Sequence, residues 1–321
     1  MSAPPSQSVS VRGRSEPLWL VHLVRAANPI DPLGRFLDSY RLQPAGVEHR
    51  LVLLFKGFQN PAAAAAHRDL AGELSFEELH VSDEGFDLGA YRQTAETLAG
   101  GRYCFVNSYS RILAPGWLGH LDSALSRPDT GLAGASGSWA SMLSYALFHV
   151  GLPSIYGRVY PDRATTLEAF QQLESQRTGS VASVGPLRRR VHTGLALAAA
   201  FKGFERFPAR HVRTNAFVID HDTLTSTPNP ALRSKVHSHR LESGRDSLTC
   251  QVQRLGLDAA VVDRLGRVYA PEDWPASETF WQGAQRGLLV GDNQTADYDN
   301  AGAAQRLLLS RYAWGDRAAP L

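Results

Sequence analysis

Apolar strand-like runs alternate with helix-like segments through the first part of the chain. Leu18 to Val24 and His49 to Phe55 are apolar runs of strand length, typical of strands covered on both faces of a sheet, and Phe76 to Val81 is predicted as a third, short strand. Between them, apolar residues recur at helical spacing over residues 33–42, and residues 62–74 are rich in alanine, which favours helix. This alternation predicts the start of a doubly wound parallel sheet.

A fourth apolar strand, Tyr103 to Val106, ends at a polar tetrad. The tetrad, Asn107-Ser108-Tyr109-Ser110, is followed by Pro115-Gly116-Trp117-Leu118, which enters a helix predicted over residues 117–125. In open α/β sheets, ligands bind just outside the carboxyl ends of the strands. The tetrad is therefore a candidate site.

The segment after the third strand combines acids with glycines. It reads Asp83-Glu84-Gly85-Phe86-Asp87-Leu88-Gly89 and leads into a helix predicted over residues 88–99. Glycines at a strand-to-helix junction allow close approach of the backbone to a ligand, and the acids can accept hydrogen bonds from a base or a ribose. The alternative is a turn in which Asp87 caps the helix. Spacing alone does not choose between the two.

The middle of the chain is predicted to be helical. Helices are expected over residues 140–150 and 165–174, the second capped by Thr165 or Thr166, with a connection at residues 151–162 and a Gly/Ser-rich stretch at residues 176–186. Residues 188–204 form a basic amphipathic pattern that begins with Arg188-Arg189-Arg190. This pattern suits a core-facing helix with a solvated basic edge, or attachment to an anionic membrane surface.

Hydrogen-bond donors precede the next apolar strand. Arg210, His211, Arg213, Thr214 and Asn215 lie at the start of Phe207 to Asp220. Clustered donors ahead of a buried strand can hold phosphate or sugar hydroxyls. The alternative is a rim of ordinary surface polar residues.

Glu242 is a candidate for an ionised general base or for part of a charge-stabilising site. It begins a sharp turn, Glu242-Ser243-Gly244-Arg245, into a helix expected over residues 247–255, and His237, His239 and Arg240 precede it. Basic neighbours and a helix N-terminus favour an ionised carboxylate. The two histidines, alternating on a predicted strand without a third ligand at a recognisable spacing, do not indicate a metal site.

The C-terminal part carries aromatic residues and carboxamides. Residues 259–262 are predicted as the last strand, and beyond them lie Trp274, Trp281, Tyr298 and the segment Asp292-Asn293-Gln294-Thr295. Aromatic planes next to amides and acids are typical of sugar-binding sites, although aromatic residues are equally common in cores.

The composition is that of a globular protein and excludes the disordered and fibrous classes for most of the chain. The 321 residues are 43% hydrophobic and 20% charged with a formal net charge of +2, which is ordinary for a soluble globular chain and gives no indication of nucleic-acid binding. Cys104 and Cys250 lie in apolar segments, which favours buried free thiols and a cytoplasmic location. The sequence contains no membrane-spanning stretch, and residues 1–16 are predicted to be a disordered tail.

The order of elements over residues 17 to 265 resembles a glycosyltransferase of the GT-A fold, inverting family 2 type. In that family a hydrophobic strand ends in an Asp-x-Asp motif before a helix often opened by Gly-Trp-Leu, and Phe105 to Leu118 occupies that place here. The resemblance implies that Asp83 lies near the nucleotide base and that Glu242 is the general base. The segment Ser82 to Tyr91 is also similar to a stretch of rhamnan-synthesis glycosyltransferases.

The match departs from the family at the metal motif. Asn107 and Tyr109 stand where the family has its two aspartates, so the carboxylates that would hold Mg²⁺ or Mn²⁺ against a diphosphate are missing. The expectation is an enzyme that works without a metal, with Arg111, Arg213 or Arg245 offsetting the charge of the leaving group, or one whose dependence on Mg²⁺ or Mn²⁺ is weakened. The other interpretation is a fold retained for binding only.

The resemblance therefore implies a nucleotide-sugar-dependent glycosyltransferase acting on a polysaccharide, glycolipid or glycoprotein acceptor. The alternative is an inactive carbohydrate-binding or assembly protein on the same fold. A nucleotidyltransferase is disfavoured because Arg25-Ala26-Ala27-Asn28 stands where a Gly-rich phosphate loop would lie. The expected partners are the donor, a glycan or lipid-linked acceptor, a membrane surface on the cytoplasmic side touched by residues 188–204, and a second copy in a homodimer.

Roles are expected for these residues: catalysis for Glu242 and Arg245; donor binding for Arg25, Asp83, Asp87, Asn107 and Tyr109; acceptor binding for Arg213, Asn215, Trp274, Asp292 and Asn293. The predicted divisions after the tail are a nucleotide-sugar-binding half at residues 17–139, a helical insertion at 140–206, an acceptor-side half at 207–265 and a C-terminal extension at 266–321.

Overall fold

The computed structural model describes residues 16–178, 197–228 and 235–319. The strands are β1 (Leu18–Arg25), β2 (Arg50–Lys56), β3 (Glu77–Val81), β4 (Arg102–Val106), β5 (Arg111–Ile112), β6 (Thr130–Gly134), β7 (Gly137–Ser138), β8 (His211–Val212), β9 (Ala216–Asp220), β10 (Asp258–Val262), β11 (Val268–Tyr269) and β12 (Val290–Gly291). The helices are α1 (Asp31–Leu42), α2 (Ala65–Ala71), α3 (Phe86–Thr97), α4 (Trp117–Leu125), α5 (Met142–His149), α6 (Ile155–Val159), α7 (Arg163–Thr178), α8 (residues 197–203), α9 (His221–Ser226), α10 (Lys235–Ser243), α11 (Leu248–Arg254), α12 (Asn293–Asn300) and α13 (Ala303–Trp314).

The central sheet is mixed. Its eight strands run in the order β11-β10-β6-β9-β4-β1-β2-β3. Strands β1 to β4 are mutually parallel, and β10 is parallel to β6, whereas β9 is antiparallel to both of its neighbours and β11 is antiparallel to β10. The predicted doubly wound α/β sheet is confirmed. Because of the parallel strands, most carboxyl ends meet at one edge, where the start of β9 joins them.

Both faces of the sheet are buried, as the largely apolar runs predict. In β1, Leu20 and Val24 pack into the core on one face, and Val21 and Leu23 pack into the core on the other. The core that contains Leu20 also takes in α1 and α4, and the opposite one takes in α3 and the aromatic residues of the C-terminal part. Helices on both faces hold the sheet rigid behind its carboxyl edge.

Several predicted boundaries are wrong. The alanine-rich stretch forms a short 3-10 turn, Pro61–Ala64, and the brief helix α2. The expected connection at residues 151–162 contains α6, and α7 begins at Arg163, where Asp162 rather than Thr165 or Thr166 accepts the hydrogen bond from the Thr165 amide. Strands β11 and β12 follow residues 259–262, which were expected to be the last strand.

The proposed membrane-contacting arginines, Arg188, Arg189 and Arg190, lie outside the described residues, as does most of the Gly/Ser-rich stretch, and residues 197–203 of the same segment are helical. Within the described ranges, none of the helices combines the length and apolar character needed to cross a bilayer. Cys104 and Cys250 are both free thiols, and Cys104 is buried.

His22 is a buried polar residue within the otherwise apolar interior of β1. Its ring stacks on Phe36 with centroids 3.7 Å apart, and neither ring nitrogen has a hydrogen-bond partner in the described part of the chain. Burial lowers the pKa of His22 to about 3. The ring is therefore neutral in the folded protein throughout the mildly acidic range.

We expect His22→Leu to raise the free energy of unfolding by about 1 kcal/mol at neutral pH, because it removes polar nitrogens that folding strips of water. Between pH 6.5 and 3 the unfolded chain protonates His22 and the folded chain does not, so this residue costs stability as pH falls. At pH 5 the cost is about 2 kcal/mol. Urea denaturation at pH 7 and pH 5 should show a smaller acid loss in the variant; an equal loss would contradict a neutral buried ring.

Candidate active site

Charged residues end the first two strands at the carboxyl edge. Arg25 is the last residue of β1 and Lys56 the last of β2, and the loop after β3 carries Asp83. Lys56 Nζ lies 3.2 Å from Asp83 Oδ1, and Arg25 Nη2 lies 3.5 Å from the same oxygen. Arg25 Nη1 lies 4.0 Å from Asp87 Oδ1. We call Arg25, Lys56, Asp83 and Asp87 the charged cluster.

Lys56 organises the loop after β3. Its side chain is fully buried, and its ammonium donates to the carbonyl oxygens of Ser82 at 3.2 Å and Glu84 at 3.0 Å. Burial lowers the pKa of Lys56, although the hydrogen bond and charge of Asp83 oppose that change. A buried ammonium needs this full set of acceptors. The loop is therefore folded around a positive charge that the sequence analysis overlooked.

Asp83 presents an ionised carboxylate to solvent. Its side chain is 59% exposed. Partial burial raises the pKa of Asp83, but the hydrogen bond and charge of Lys56, together with Arg25, outweigh it and hold the pKa below its ordinary value. Gly57 follows Lys56 with φ +77°, and a Cβ there would lie 3.1 Å from Asp83 Cβ. A glycine at this position lets the two loops approach so closely.

Asp87 is not the helix cap that one interpretation of the sequence expected. Helix α3 begins at Phe86 after Gly85, which has φ +73° and provides no side-chain cap, so Asp87 lies in the first turn. Burial raises the pKa of Asp87, Arg25 lowers it and the Glu242 carboxylate raises it again. Asp87 is therefore near Arg25, and its helix α3 contacts α10, which carries Glu242.

The tetrad is folded onto the end of β1. Asn107 Oδ1 accepts hydrogen bonds from the Tyr109 amide at 3.1 Å and the Ser110 hydroxyl at 2.9 Å. Ser108 Oγ donates to the Leu23 carbonyl at 2.8 Å. The Tyr109 hydroxyl donates to Asn28 Oδ1 at 3.3 Å. Asn107 and Tyr109 thus lie next to the loop that follows Arg25, as a shared site requires.

Two buried donors in this region have no partner. The buried nitrogens Arg25 Nε and Asn28 Nδ2 find no acceptor in the described ranges. Leaving buried donors unpaired costs free energy, about 1–3 kcal/mol each, unless a ligand or water supplies the acceptor. An anionic ligand at the ends of β1 and β4 would supply acceptors of the required kind.

The tetrad does not fit a hard divalent cation. Its carboxamide oxygen, Asn107 Oδ1, already accepts two hydrogen bonds, and neither Ser108 nor Tyr109 supplies a carboxylate. Mg²⁺ is normally held by one or two carboxylates together with substrate phosphates. Among the described residues, no group of three or more His, Cys, Asp or Glu side chains is arranged to hold a metal ion.

A buried polar network continues along the edge from the tetrad. Ser110 Oγ lies 2.7 Å from the Asn215 carbonyl, and Ser136 Oγ donates to Asn215 Oδ1 at 2.7 Å. Arg213 Nη1 donates to Ser136 Oγ at 3.2 Å, and Arg213 Nη2 lies 2.6 Å from Asp292 Oδ2. We call Ser110, Ser136, Arg213, Asn215 and Asp292 the edge network.

The edge network brings together three of the residues expected to bind acceptor, but it uses their polar atoms internally. Asn215 Nδ2 donates to the Val290 carbonyl at 3.0 Å, and the Arg213 guanidinium stacks on Phe280 at 3.9 Å from the ring centroid. The Arg213 and Asp292 side chains are 10% and 2% exposed. The sequence predicts that Arg213 could offset leaving-group charge, whereas in the structure its guanidinium is already paired with Asp292 in the interior.

The candidate acceptor-binding residues of the C-terminal part have different surroundings, some exposed and some in the core. Asp292 caps α12 in a capping box with Thr295, and Asn293 is exposed at the first position of that helix. Trp274 is fully buried, and its indole donates to the Tyr269 carbonyl at 3.1 Å. The expectation that Trp274 binds acceptor is wrong, because its ring is packed in the core. Trp281 is likewise buried.

Glu242 lies at the end of a helix, not before one. It is in the last turn of α10, so His237 and His239 lie on a helix and not on the predicted strand. Helix C-termini are electrically negative, so no helix dipole stabilises this carboxylate. Ser238 Oγ donates to Glu242 Oε1 at 3.0 Å, and His239 Nδ1 is 3.7 Å from Glu242 Oε2. The carboxylate is 37% exposed and close enough to influence Asp87.

Arg245 is bound to a neighbouring helix end. Its Nε donates to the Phe204 carbonyl at 3.2 Å, and its amide donates to the Gly203 carbonyl at 3.0 Å. Ser247 then caps α11 through the Cys250 amide. The contacts of Arg245 therefore anchor the turn between α10 and α11, and they connect it to α8 and not to the charged cluster.

Comparisons with known proteins give distant structural matches. No protein-family model and no curated sequence matches the chain. Among solved structures, CMP:2-keto-3-deoxy-manno-octonic acid synthetase complexed with CTP is 12% identical, with a TM-score of 0.39 over 76% of this chain and 88% of that one. Glucosyl-3-phosphoglycerate synthase from Mycobacterium tuberculosis, with Mn²⁺, UDP and glucosyl-3-phosphoglycerate, is 14% identical, with a TM-score of 0.38 over 82% and 76%.

A mannosyltransferase from Pyrobaculum calidifontis with GDP-Man and Mn²⁺ is 13% identical, with a TM-score of 0.31 over 46% of this chain and 42% of that one.

Proposed function

We propose that this chain is a nucleotide-sugar-dependent glycosyltransferase of the GT-A type that transfers a sugar to a polysaccharide, glycolipid or glycoprotein acceptor. The observation that carries the proposal is the charged cluster at the carboxyl edge of the sheet, together with Glu242 on α10, a helix that contacts the α3 helix of Asp87. Open α/β sheets bind ligands at this edge.

The donor would lie across the ends of β1 to β4. Asp83, ionised and 59% exposed, would accept hydrogen bonds from the base or ribose. The diphosphate would lie against Arg25 and Asn28, whose buried nitrogens lack acceptors in the described structure. Arg25 would then replace Arg213 as the residue that offsets the charge of the leaving diphosphate, without a metal step.

Glu242 would act on the acceptor. Its carboxylate would take the proton of the acceptor hydroxyl, while that oxygen forms a bond to the anomeric carbon and the bond to the diphosphate oxygen breaks. The proton remains on Glu242, and the electron pair of the broken bond leaves with the nucleoside diphosphate. The exposed carboxylate and its position near Asp87 support this role.

The donor site is tested by thermal unfolding with a panel of nucleoside diphosphates and nucleotide sugars, with and without Mn²⁺. A ligand at about 100 times its Kd adds about 2.7 kcal/mol, a measurable shift in Tm. We expect one nucleotide family to stabilise the protein, and Asp83→Asn to lose most of that shift. Asp38→Asn is the matched control, because Asp38 is 82% exposed on α1 and away from the cluster.

The outcomes separate the alternatives. A shift in Tm that is equal with and without Mn²⁺ supports binding through Arg25 and Asn28. A shift that requires Mn²⁺ contradicts that part of the proposal. No shift with any nucleotide or nucleotide sugar overturns it and favours a carbohydrate-binding protein. Consumption of a nucleoside triphosphate with release of pyrophosphate would instead show a nucleotidyltransferase.

A further inference from the structure

A second concave surface lies between α7 and α13, formed by elements that take no part in the candidate active site. One stripe of α13 lines it with Ala304, Leu307, Leu308 and Arg311, and one stripe of α7 lines it with Ala169, Gln172 and Leu173. Each stripe repeats at helical spacing and so belongs to a single helix face. The two faces enclose an open cavity of about 410 Å³, within the range that accommodates small-molecule ligands.

The base of this groove is fixed. Phe170 contacts Tyr312 and Tyr160 edge to face, with centroids 5.5 and 5.9 Å apart. The Tyr160 hydroxyl donates to the Leu308 carbonyl at 2.6 Å, which connects the floor to α13. Above this aromatic layer, Leu173, Leu307 and Leu308 remain partly exposed. The groove is therefore a preformed apolar slot between two helices.

The groove carries one unpaired positive charge. Among the described residues that line it, Arg311 is the only cation, and no described residue forms an ion pair or hydrogen bond with its guanidinium. Asp162 also lines the groove and keeps its negative charge, which hydrogen bonds from the amide and hydroxyl of Thr165 at 3.2 and 2.7 Å stabilise. The groove as a whole is therefore neutral, and an anionic group would be held at the Arg311 guanidinium itself, which lacks an ion-pair partner among the described residues.

We propose that the groove binds a single-chain anionic amphiphile, a medium-chain carboxylate, with its alkyl chain between α7 and α13 and its carboxylate on Arg311. The apolar walls account for the chain and the guanidinium accounts for the head group. This site is independent of the proposed transferase activity, because none of its lining residues belongs to the charged cluster or the edge network.

Titration calorimetry with decanoate below its micelle concentration, and with decanol as the uncharged match, tests the proposal. We expect saturable binding of decanoate at one site. Arg311→Gln should weaken decanoate about five-fold or more and leave decanol unchanged, since only the charge pair is lost. Ala304→Phe should abolish binding of both by filling the slot. Arg127→Gln, an exposed arginine outside the groove, should change neither.

Absence of saturable decanoate binding overturns the proposal, as does binding that survives Ala304→Phe or that Arg311→Gln weakens equally for decanoate and decanol. A second copy of the chain covering the groove is another contrary outcome. In that case the native protein would sediment as a dimer, Ala304→Phe as a monomer, and decanoate would not bind the dimer. Circular dichroism of each variant distinguishes loss of binding from loss of fold.

Discussion

Glu242→Gln is expected to lower turnover by about 10²- to 10⁴-fold while the affinity for the nucleotide-sugar donor stays unchanged. Glutamine keeps the size and the hydrogen bond from Ser238 but cannot take a proton from the acceptor, and general-base catalysis contributes rate factors of this order. Turnover with the donor identified by thermal shift, and donor Kd measured separately, check the two halves of the expectation. Glu96→Gln, an exposed residue of α3, is the matched control.

A second readout does not depend on turnover. The Glu242 charge raises the pKa of Asp87, so Glu242→Gln should lower the pKa of Asp87, which carboxyl NMR titration measures. Full turnover in the variant would show that Glu242 is not the base. An unchanged Asp87 pKa would show that the two carboxylates are too far apart to interact. If the native protein itself binds the donor but shows no turnover, the binding-protein alternative is favoured.

The strands were predictable because their burial leaves a local signal. Leu18 to Val24 is apolar except for His22 since both faces of β1 are covered, and the interior of β2 from Leu51 to Phe55 is apolar for the same reason. The antiparallel insertion of β9 between β4 and β6 has no such signal. It depends on pairing between residues far apart in the chain, such as Cys104 and Val218. A hydrophobic pattern reports only on residues close together in the sequence.

The candidate site was only partly predictable, because it too depends on contacts between residues far apart in the chain. Arg25, Asp83 and Asp87 were recognisable as polar residues next to strand ends, and the structure brings them together. Lys56 was missed although it ends an apolar strand before a glycine, a position that offered a signal. For Glu242, the following Gly244 suggested a turn before a helix, whereas the structure places α10 before the turn and α11 after it.

Internal pairing explains the remaining errors. Arg213 and Asp292 read as surface donors and acceptors because each lies in a polar stretch, yet they neutralise each other 79 residues apart. Ser136 and Asn215 complete the same network from other strand ends. A sequence shows which residues are polar but not which polar residues satisfy one another in the interior.

The Arg213 and Asp292 pair should therefore be a major determinant of stability. We expect Asp292→Ala to lower the free energy of unfolding by about 3–5 kcal/mol, since it leaves a buried guanidinium without its counter-charge. Loss of the cap on α12 adds about 1 kcal/mol. Asp292→Asn keeps an acceptor for the Thr295 amide and should recover only the capping part. Urea denaturation of the three proteins measures both contributions.

The double variant Arg213→Met with Asp292→Leu separates charge from packing. Replacing a buried ion pair by apolar residues is often close to neutral, so the double variant should be more stable than Asp292→Ala. If Asp292→Ala costs less than about 1 kcal/mol, the pair behaves like a surface ion pair and water reaches Arg213. Arg213 would then be available to a ligand after all, and the acceptor side of the site would extend to the edge network.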